Sequence, residues 1–221
     1  MPSKRFRDAA PSPAHLLLLS LARAQGSQSS DAEAQALIAA HPIDWDALLT
    51  LANTHGVLAV CHRALMRISP QAFPTETQAR LQRTVMNMAM RNLEMTNELI
   101  RLSATLEQAG VRMITYKGPT LSAMAYGGVG ARQFSDLDVI VPPRQLVQAK
   151  EVLMGIGYTA FHDPEHREYQ KDDHDRSYQG YDMISANQRI AVDLQMRFGL
   201  RHSSFSLPFE TLWAQRQQVY F

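Results

Sequence analysis

The sequence contains one cysteine, Cys61, which excludes an intramolecular disulfide and any metal site built on several cysteine ligands. It also lacks an apolar run of about 18 residues, so we expect no membrane-spanning helix and no membrane partner. The 22 basic and 21 acidic residues nearly balance, so charge alone does not favour binding to long nucleic acids. The scarcity of cysteine favours a reducing compartment, and we expect a cytoplasmic protein.

The first half of the sequence has helical periodicity. We expect a flexible tail over residues 1–12 and a helical N-terminal region over residues 13–110, which begins with an apolar helix near residues 16–24 rather than a secretory signal. The pattern "DAEAQALIAAH" predicts a further helix with Asp31 as its N-cap. Cys61 falls within a helical apolar pattern and is expected to be a core residue.

One long helix is predicted over residues 76–109, with Thr75 as its cap and Gly110 as its stop. Its apolar positions recur at spacings of three and four and are interrupted only by Asn92. Such a stripe is typical of a coiled-coil dimer, but it is equally typical of a central helix packed within its own chain. We favour the packed helix, because other helices are present to cover a methionine-rich stripe, and treat the dimer as the less favoured alternative.

The pattern changes at residue 111. Strands are predicted at "VRMITY" and "DLDVIV", each followed by a helix, and "RSYQGYDMIS" and "RIAVDLQMRF" flank a candidate hairpin turn at residues 186–188. The fold class expected is α+β, with a second domain over residues 111–221. Residues 219–221 resemble the start of a strand, which suggests that this domain is truncated at its C-terminus.

The stretch "ARQFSDLDVIVPP", residues 131–143, carries the first chemical signal. Residues two apart on a strand share a face, so Asp136 and Asp138 point the same way, and Leu137 points into the core. Two adjacent carboxylates repel each other unless a cation lies between them. Mg²⁺ held by one or two carboxylates and by substrate phosphates suits this motif, although a pair of exposed aspartates at a strand end is equally compatible with it.

Two further motifs accompany the aspartate pair. In "TYKGPT", Lys117 and Gly118 follow a strand and precede a helix, whose free N–H groups can bind a phosphate; an ordinary strand-to-helix turn is the alternative. In "IAVDLQMRF", Asp193 lies within an apolar strand, where a buried acid is costly unless it is paired with an arginine or bound to a metal. The P-loop and G-x-G-x-x-G motifs are both absent.

Together, Gly118, Asp136, Asp138 and Asp193 resemble the motif set of the DNA polymerase β-like nucleotidyltransferase superfamily. That superfamily has a glycine-containing turn, then D-x-D or D-x-E on the next strand, then a third carboxylate on a later strand. From about residue 44 to 213 the sequence is similar to a group of uncharacterised bacterial nucleotidyltransferases, in which Lys-Gly replaces the usual Gly-Ser. The resemblance implies a palm domain, a mixed sheet with flanking helices, after the helical region.

The resemblance also implies an activity, namely Mg²⁺- or Mn²⁺-dependent transfer of NMP from an NTP, with ATP the favoured donor. The acceptor expected is a protein hydroxyl, an RNA end or a small molecule. Asp136, Asp138 and Asp193 would hold two metal ions as catalytic residues. The triphosphate would be bound by the residues of the turn and of the segment before the D-x-D motif, namely Lys117, Gly118, Arg132 and Ser135.

One position departs from the group, because Gln195 stands where a histidine usually follows the third acid. This departure supports the first alternative, a catalytically inactive module that binds a nucleotide or a partner. The second alternative is a metal-dependent phosphohydrolase that uses the same carboxylates. The polar stretch over residues 162–176 contains three histidines, but their spacing matches no common metal site, and we expect a solvated loop there.

Overall fold

The computed structural model describes residues 10–23, 28–72, 74–162, 180–198 and 207–221. The chain divides into two compact units. One comprises Met1–Met90 and Gly130–Gln133, and the other comprises Arg91–Val129 and Phe134–Phe221. Most of the expected tail and most of the histidine-containing loop lie outside the described residues, and the expected domain boundary at residue 110 stays a prediction.

The first unit is helical. Its elements are α1 (Pro13–Arg23), α2 (Gln28–Ala40), α3 (Trp45–Thr54), α4 (Leu58–Ile68) and the first part of α5 (Thr75–Gln108). Its core gathers the apolar faces of these helices, including the fully buried Leu17, Leu48 and Leu65. Cys61 belongs to this core, and burial raises the pKa of its thiol to about 12, so the expectation of a core cysteine is confirmed.

The predicted N-cap of α2 is wrong. The helix begins at Gln28, three residues before Asp31, which therefore lies in the first turn of the helix. Asp31 instead forms an ion pair with Arg67, with 2.7 Å between Oδ1 and Nη2. Asp44 does act as a cap, because its carboxylate accepts a hydrogen bond from the backbone N–H of Ala47 at the start of α3.

The second unit contains the sheet. Its elements after α5 are β1 (Ile114–Thr115), α6 (Gly118–Tyr126), β2 (Asp136–Ile140), a short 3-10 helix (Pro143–Gln145), α7 (Leu146–Gly155), β3 (Thr159–His162), β4 (Gly180–Ile184), β5 (Ala191–Gln195) and α8 (Phe209–Ala214). The strands form one five-stranded sheet in the order β1-β2-β5-β4-β3. β2 and β5 are parallel and the other pairs are antiparallel. The predicted α+β class with a mixed sheet and flanking helices is confirmed.

The strand predictions differ in accuracy. β4 and β5 form the expected antiparallel hairpin, in which Gln188 has a positive φ of 56°. β1 is shorter than "VRMITY" suggests, with only two residues in the sheet. The expected strand at residues 219–221 is absent, and those residues follow α8 without regular structure.

The apolar stripe of α5 is buried within this chain. Met95, Leu99, Leu102 and Leu106 are each at most 2% exposed and belong to the core of the second unit. Asn92, which interrupts the stripe, is fully buried, and its Nδ2 donates to the carbonyl of Val129 at 2.8 Å. For this part of the helix, a packed central helix is the correct interpretation of the stripe. No helix in the described part of the chain is long and apolar enough to cross a membrane.

Candidate active site

The two aspartates of the D-x-D motif lie on one face of β2, as the alternation of the strand predicts. On the opposite face, Leu137 and Val139 are each 1% exposed and belong to the core of the second unit. Asp138 is itself buried, with 3% of its surface exposed, whereas Asp136 at the start of the strand is only partly buried. The motif therefore places one carboxylate inside the protein and one near its surface.

Sheet pairing brings the third predicted acid to this site. In the parallel pair of β2 and β5, Asp138 and Asp193 occupy directly opposite positions. On the other side of β5, Asp193 lies opposite Asp182 of β4. Asp182 was not predicted from the sequence, although its place between the apolar Tyr181 and Met183 in "GYDMI" indicated that it lies on the opposite face of the strand from them. Three strands thus contribute one carboxylate each to a single row across the sheet.

Lys117 supplies the counter-charge for the buried acid. Its Nζ lies 2.8 Å from Oδ1 of Asp138, with half of the lysine side chain exposed. Partial burial by itself would lower the pKa of Lys117, but the hydrogen bond to Asp138 and the negative charge of that carboxylate outweigh it and raise the pKa. Lys117 is therefore positively charged at neutral pH and remains so beside Asp138.

Tyr116 and Gln195 connect the carboxylates of the row. The Tyr116 hydroxyl lies 3.4 Å from Oδ1 of Asp138 and 3.5 Å from Oε1 of Gln195. Nε2 of Gln195 donates a hydrogen bond to Oδ2 of Asp193. Burial, followed by the charge of Asp138, raises the pKa of Tyr116, so the hydroxyl stays protonated and able to donate. Gln195, which stands where the similar group usually has a histidine, therefore contacts the third acid directly. Tyr116 is a site residue that the sequence motifs did not predict.

Gly118 forms the predicted turn between β1 and α6. Its φ is +52°, in the left-handed region that favours glycine, and Pro119 follows in the first turn of the helix. A Cβ at Gly118 would lie 3.3 Å from the backbone carbonyl oxygen of Asp136. The turn therefore brings the start of α6 close to the first residue of the D-x-D strand, as expected for an anion site beside the acids.

The two remaining predicted residues differ in their surroundings. Ser135 is exposed, and its Oγ donates to Oδ1 of Asp136 at 3.3 Å, so the structure places it at the edge of the site. Arg132 lies in Gly130–Gln133, which belongs to the first unit. Its proposed contact with the triphosphate stays a prediction.

Residues 41–221 match the model of a family described as uncharacterised nucleotidyltransferase. The chain belongs to this nucleotidyltransferase family. Membership supports nucleotidyl transfer as the general class of activity. Neither the curated proteins nor the solved structures provide a significant match.

The carboxylates of this nucleotidyltransferase fit a hard cation by their chemistry, because Mg²⁺ and Mn²⁺ prefer oxygen ligands. The burial of Asp138 adds to this fit, since a buried carboxylate needs a positive partner. That partner is Lys117 in this structure, and Gln195 contacts Asp193. Among the described residues, no three His, Cys, Asp or Glu side chains are grouped so that they could hold a metal ion. Cation binding would therefore require these two contacts to rearrange.

Proposed function

We propose that this protein transfers NMP from an NTP, with ATP the favoured donor, to an acceptor hydroxyl in a reaction that requires a divalent cation. The observation that carries the proposal is the position of Asp138 opposite Asp193 on adjacent strands, with Lys117 and the Gly118 turn beside them. A cation-binding acid pair next to a phosphate-binding turn is what transfer between phosphate groups requires.

Asp136, Asp138 and Asp193 are the residues that would hold Mg²⁺ or Mn²⁺. When bound, the cation would neutralise charge on the phosphates and polarise the α-phosphate. Asp182 is a fourth candidate, because its backbone position lies directly opposite Asp193. The superfamily likeness to DNA polymerase β supports the use of two metal ions, and this feature also belongs to the proposal.

The protein's own residues would bind the donor and orient the acceptor. The Lys117 ammonium, released from Asp138, would bind a phosphate oxygen, and the N–H groups at the start of α6 would bind another. Oxygen of the acceptor hydroxyl would attack the α-phosphorus, the bond from that phosphorus to the bridging oxygen would break, and pyrophosphate would leave. Asp193 would accept the hydroxyl proton.

The test is incubation of the protein and a cell lysate with ATP labelled at the α-phosphate and with Mg²⁺ or Mn²⁺. We expect label to transfer to one class of acceptor, with pyrophosphate released in equal amount. Asp138→Asn should reduce transfer by about a thousandfold or more, as expected when a residue that would hold the cation at the reacting phosphate is lost. Glu151→Gln, an exposed change on α7, is the matched control and should retain full activity.

Two outcomes would contradict the proposal. If label is absent from every acceptor with all four NTPs and both cations, the proposal of transferase activity is wrong. If NMP forms at the same rate with and without an acceptor, the carboxylates serve hydrolysis, which is the phosphohydrolase alternative.

A specific observation favours one further candidate, a nucleotide-binding module without catalytic activity. Lys117 and Gln195 contact the carboxylates of Asp138 and Asp193, so the acids have protein partners without a metal. Calorimetric titration with ATP distinguishes the two functions. A module of this kind would bind ATP equally well with and without Mg²⁺ and in Asp138→Asn, whereas the transferase would need the cation and the carboxylate.

A further inference from the structure

A second concave site lies in the sheet-containing unit, where β2 and β5 end. The cavity has a volume of about 770 Å³, which is within the range typical of small-molecule sites. The chain segments that follow the two strands and the start of α8 line it. The lining residues used in the argument below are Arg112, Arg144, Arg197, Met196, Phe209 and Glu210.

Positive charge exceeds negative charge around this cavity. Among the described residues, three arginines and one glutamate line it, which gives a net charge of +2. Glu210 is held by Arg112 through two contacts, at 2.5 and 3.0 Å, and this hydrogen bonding lowers the pKa of Glu210. Arg144 and Arg197 are exposed, and the charge of Arg144 also contributes to the lowered pKa of Glu210.

The cavity also has an apolar side. Phe209 is 4% exposed, and the Arg112 guanidinium lies over its ring at 5.1 Å from the centroid. Met196 and Pro142 add further apolar lining. One portion of the cavity favours an anion and the other favours an apolar group. A purely anionic ligand would leave the apolar portion without contacts, and a purely apolar ligand would leave the arginines without an anion.

The cavity lies beyond the row of carboxylates along the strands, and none of the row's aspartates lines it, although Met196 in its lining directly follows Gln195. Pro142 is four residues beyond Asp138, and strand pairing continues as far as the hydrogen bond from the Val141 N–H to the Gln195 carbonyl. At a rise of 3.3 Å per residue, four residues span about 13 Å. A small molecule in the cavity would therefore not place its anionic group at Asp138.

We propose that this cavity is a second binding site, specific for a small phosphate monoester with an aromatic or other apolar group. A phosphate dianion matches the net charge of +2, and its three terminal oxygens can accept hydrogen bonds from both Arg144 and Arg197. The apolar group would lie against Phe209 and Met196. The proposal does not depend on the transferase activity, since no residue of the carboxylate row lines the cavity.

The two tryptophans of the chain permit a direct test with phenyl phosphate as the probe. Trp213 stacks on Phe209 with 5.7 Å between ring centroids, whereas Trp45 belongs to the first unit. In nitrogen–proton correlation spectra of the 221-residue chain, the indole resonance of Trp213 should shift saturably during titration, and that of Trp45 should not. Trp45→Phe assigns the two resonances.

Binding measurements on the wild-type protein alone can contradict the proposal. Phenol, which lacks the anion, and inorganic phosphate, which lacks the ring, should each bind about tenfold or more weakly than phenyl phosphate. Equal binding of either compound would contradict the mixed character of the site. Equal binding of benzoate would contradict the preference for phosphate, and the absence of a saturable Trp213 shift would contradict the site itself.

Variants then locate the probe. Arg144→Gln combined with Arg197→Gln should weaken phenyl phosphate binding about tenfold or more, whereas the double variant Arg83→Gln with Arg91→Gln removes the same charge from exposed positions of α5 and should bind normally. Asp138→Asn and Lys117→Met should leave the Trp213 shift unchanged. A loss in either would place the probe at the carboxylate row and overturn the proposal.

Discussion

Lys117 and Asp138 form an ion pair in which the carboxylate is 3% exposed and the ammonium-bearing side chain is 50% exposed. Lys117 lies in the turn between β1 and α6, which is the predicted phosphate turn, and Asp138 is the central residue of β2, in the predicted metal motif. The lysine proposed to bind phosphate thus stabilises the acid proposed to bind the metal. This relationship leads to the first prediction.

Lys117→Met should lower the free energy of unfolding by about 1–2 kcal/mol, because a buried carboxylate loses its partner, although the exposed half of Lys117 limits the effect. Adding Asp138→Asn should recover part of that loss, since the amide needs no counter-charge. Urea denaturation of the two single variants and the double variant measures the coupling. Strictly additive effects would show that the pair contributes nothing to stability.

Mg²⁺ should stabilise the protein by binding at the carboxylate row. At about ten times its dissociation constant the cation should raise the melting temperature by about 3 °C. Lys117→Met should bind the cation more tightly, because the competing ammonium is gone, and Asp138→Asn should abolish the shift. Thermal denaturation with and without Mg²⁺ is the measurement, and Glu151→Gln, with its exposed change, should behave as wild type. Equal shifts in wild type and Asp138→Asn would place the cation elsewhere.

Gly118→Ala should destabilise the protein by about 1–2 kcal/mol, since alanine is strained at a φ of +52° and its Cβ would press on the Asp136 carbonyl. The same variant should weaken nucleotide binding, because the turn positions the first N–H groups of α6. Gly155→Ala in α7 is the control, as its Cβ would meet nothing within 4 Å and alanine favours helix. Denaturation curves and ATP titrations of both variants test this, and equal stability of the two would refute the strain at Gly118.

The hydrogen bond between the Tyr158 hydroxyl and Glu98 of α5 should weaken at acidic pH. Hydrogen bonds from Arg101, followed by the one from the Tyr158 hydroxyl at 2.7 Å, lower the pKa of Glu98 below 4.5. A carboxyl whose pKa is lower in the folded state contributes stability that is fully present above its unfolded-state pKa and is lost as the pH falls through the folded-state value.

Glu98→Gln should therefore cost about 1 kcal/mol at pH 7 and progressively less as the pH falls below about 4.3, the ordinary value for a glutamate, because the wild type then loses this contribution. Chemical denaturation across this pH range measures the difference. Glu94→Gln, which removes an exposed ion pair with Arg189, should cost little at any pH. If the effect of Glu98→Gln does not vary with pH, the ionised form of Glu98 is not what stabilises this contact.

Local patterns in the sequence predicted much of the architecture. The shared face of Asp136 and Asp138, the turn at Gly118 and the helix that begins with it all follow from properties of a few neighbouring residues. The errors arose where distant residues decide the outcome. Asp31 forms an ion pair with Arg67, 36 positions away, rather than capping its helix, and β1 retains only the two residues that pair with β2.

The sequence by itself determined the class of fold, the pair of acids on one strand and the presence of a third acid on a later apolar strand. Only the tertiary structure decided that Asp193 lies opposite Asp138 rather than Asp136, that Asp182 extends the row, and that Tyr116 and Gln195 join it. The reason is physical. Alternation along a strand is set by the geometry of the local backbone, whereas register between strands is set by hydrogen bonds and packing between segments far apart in the chain.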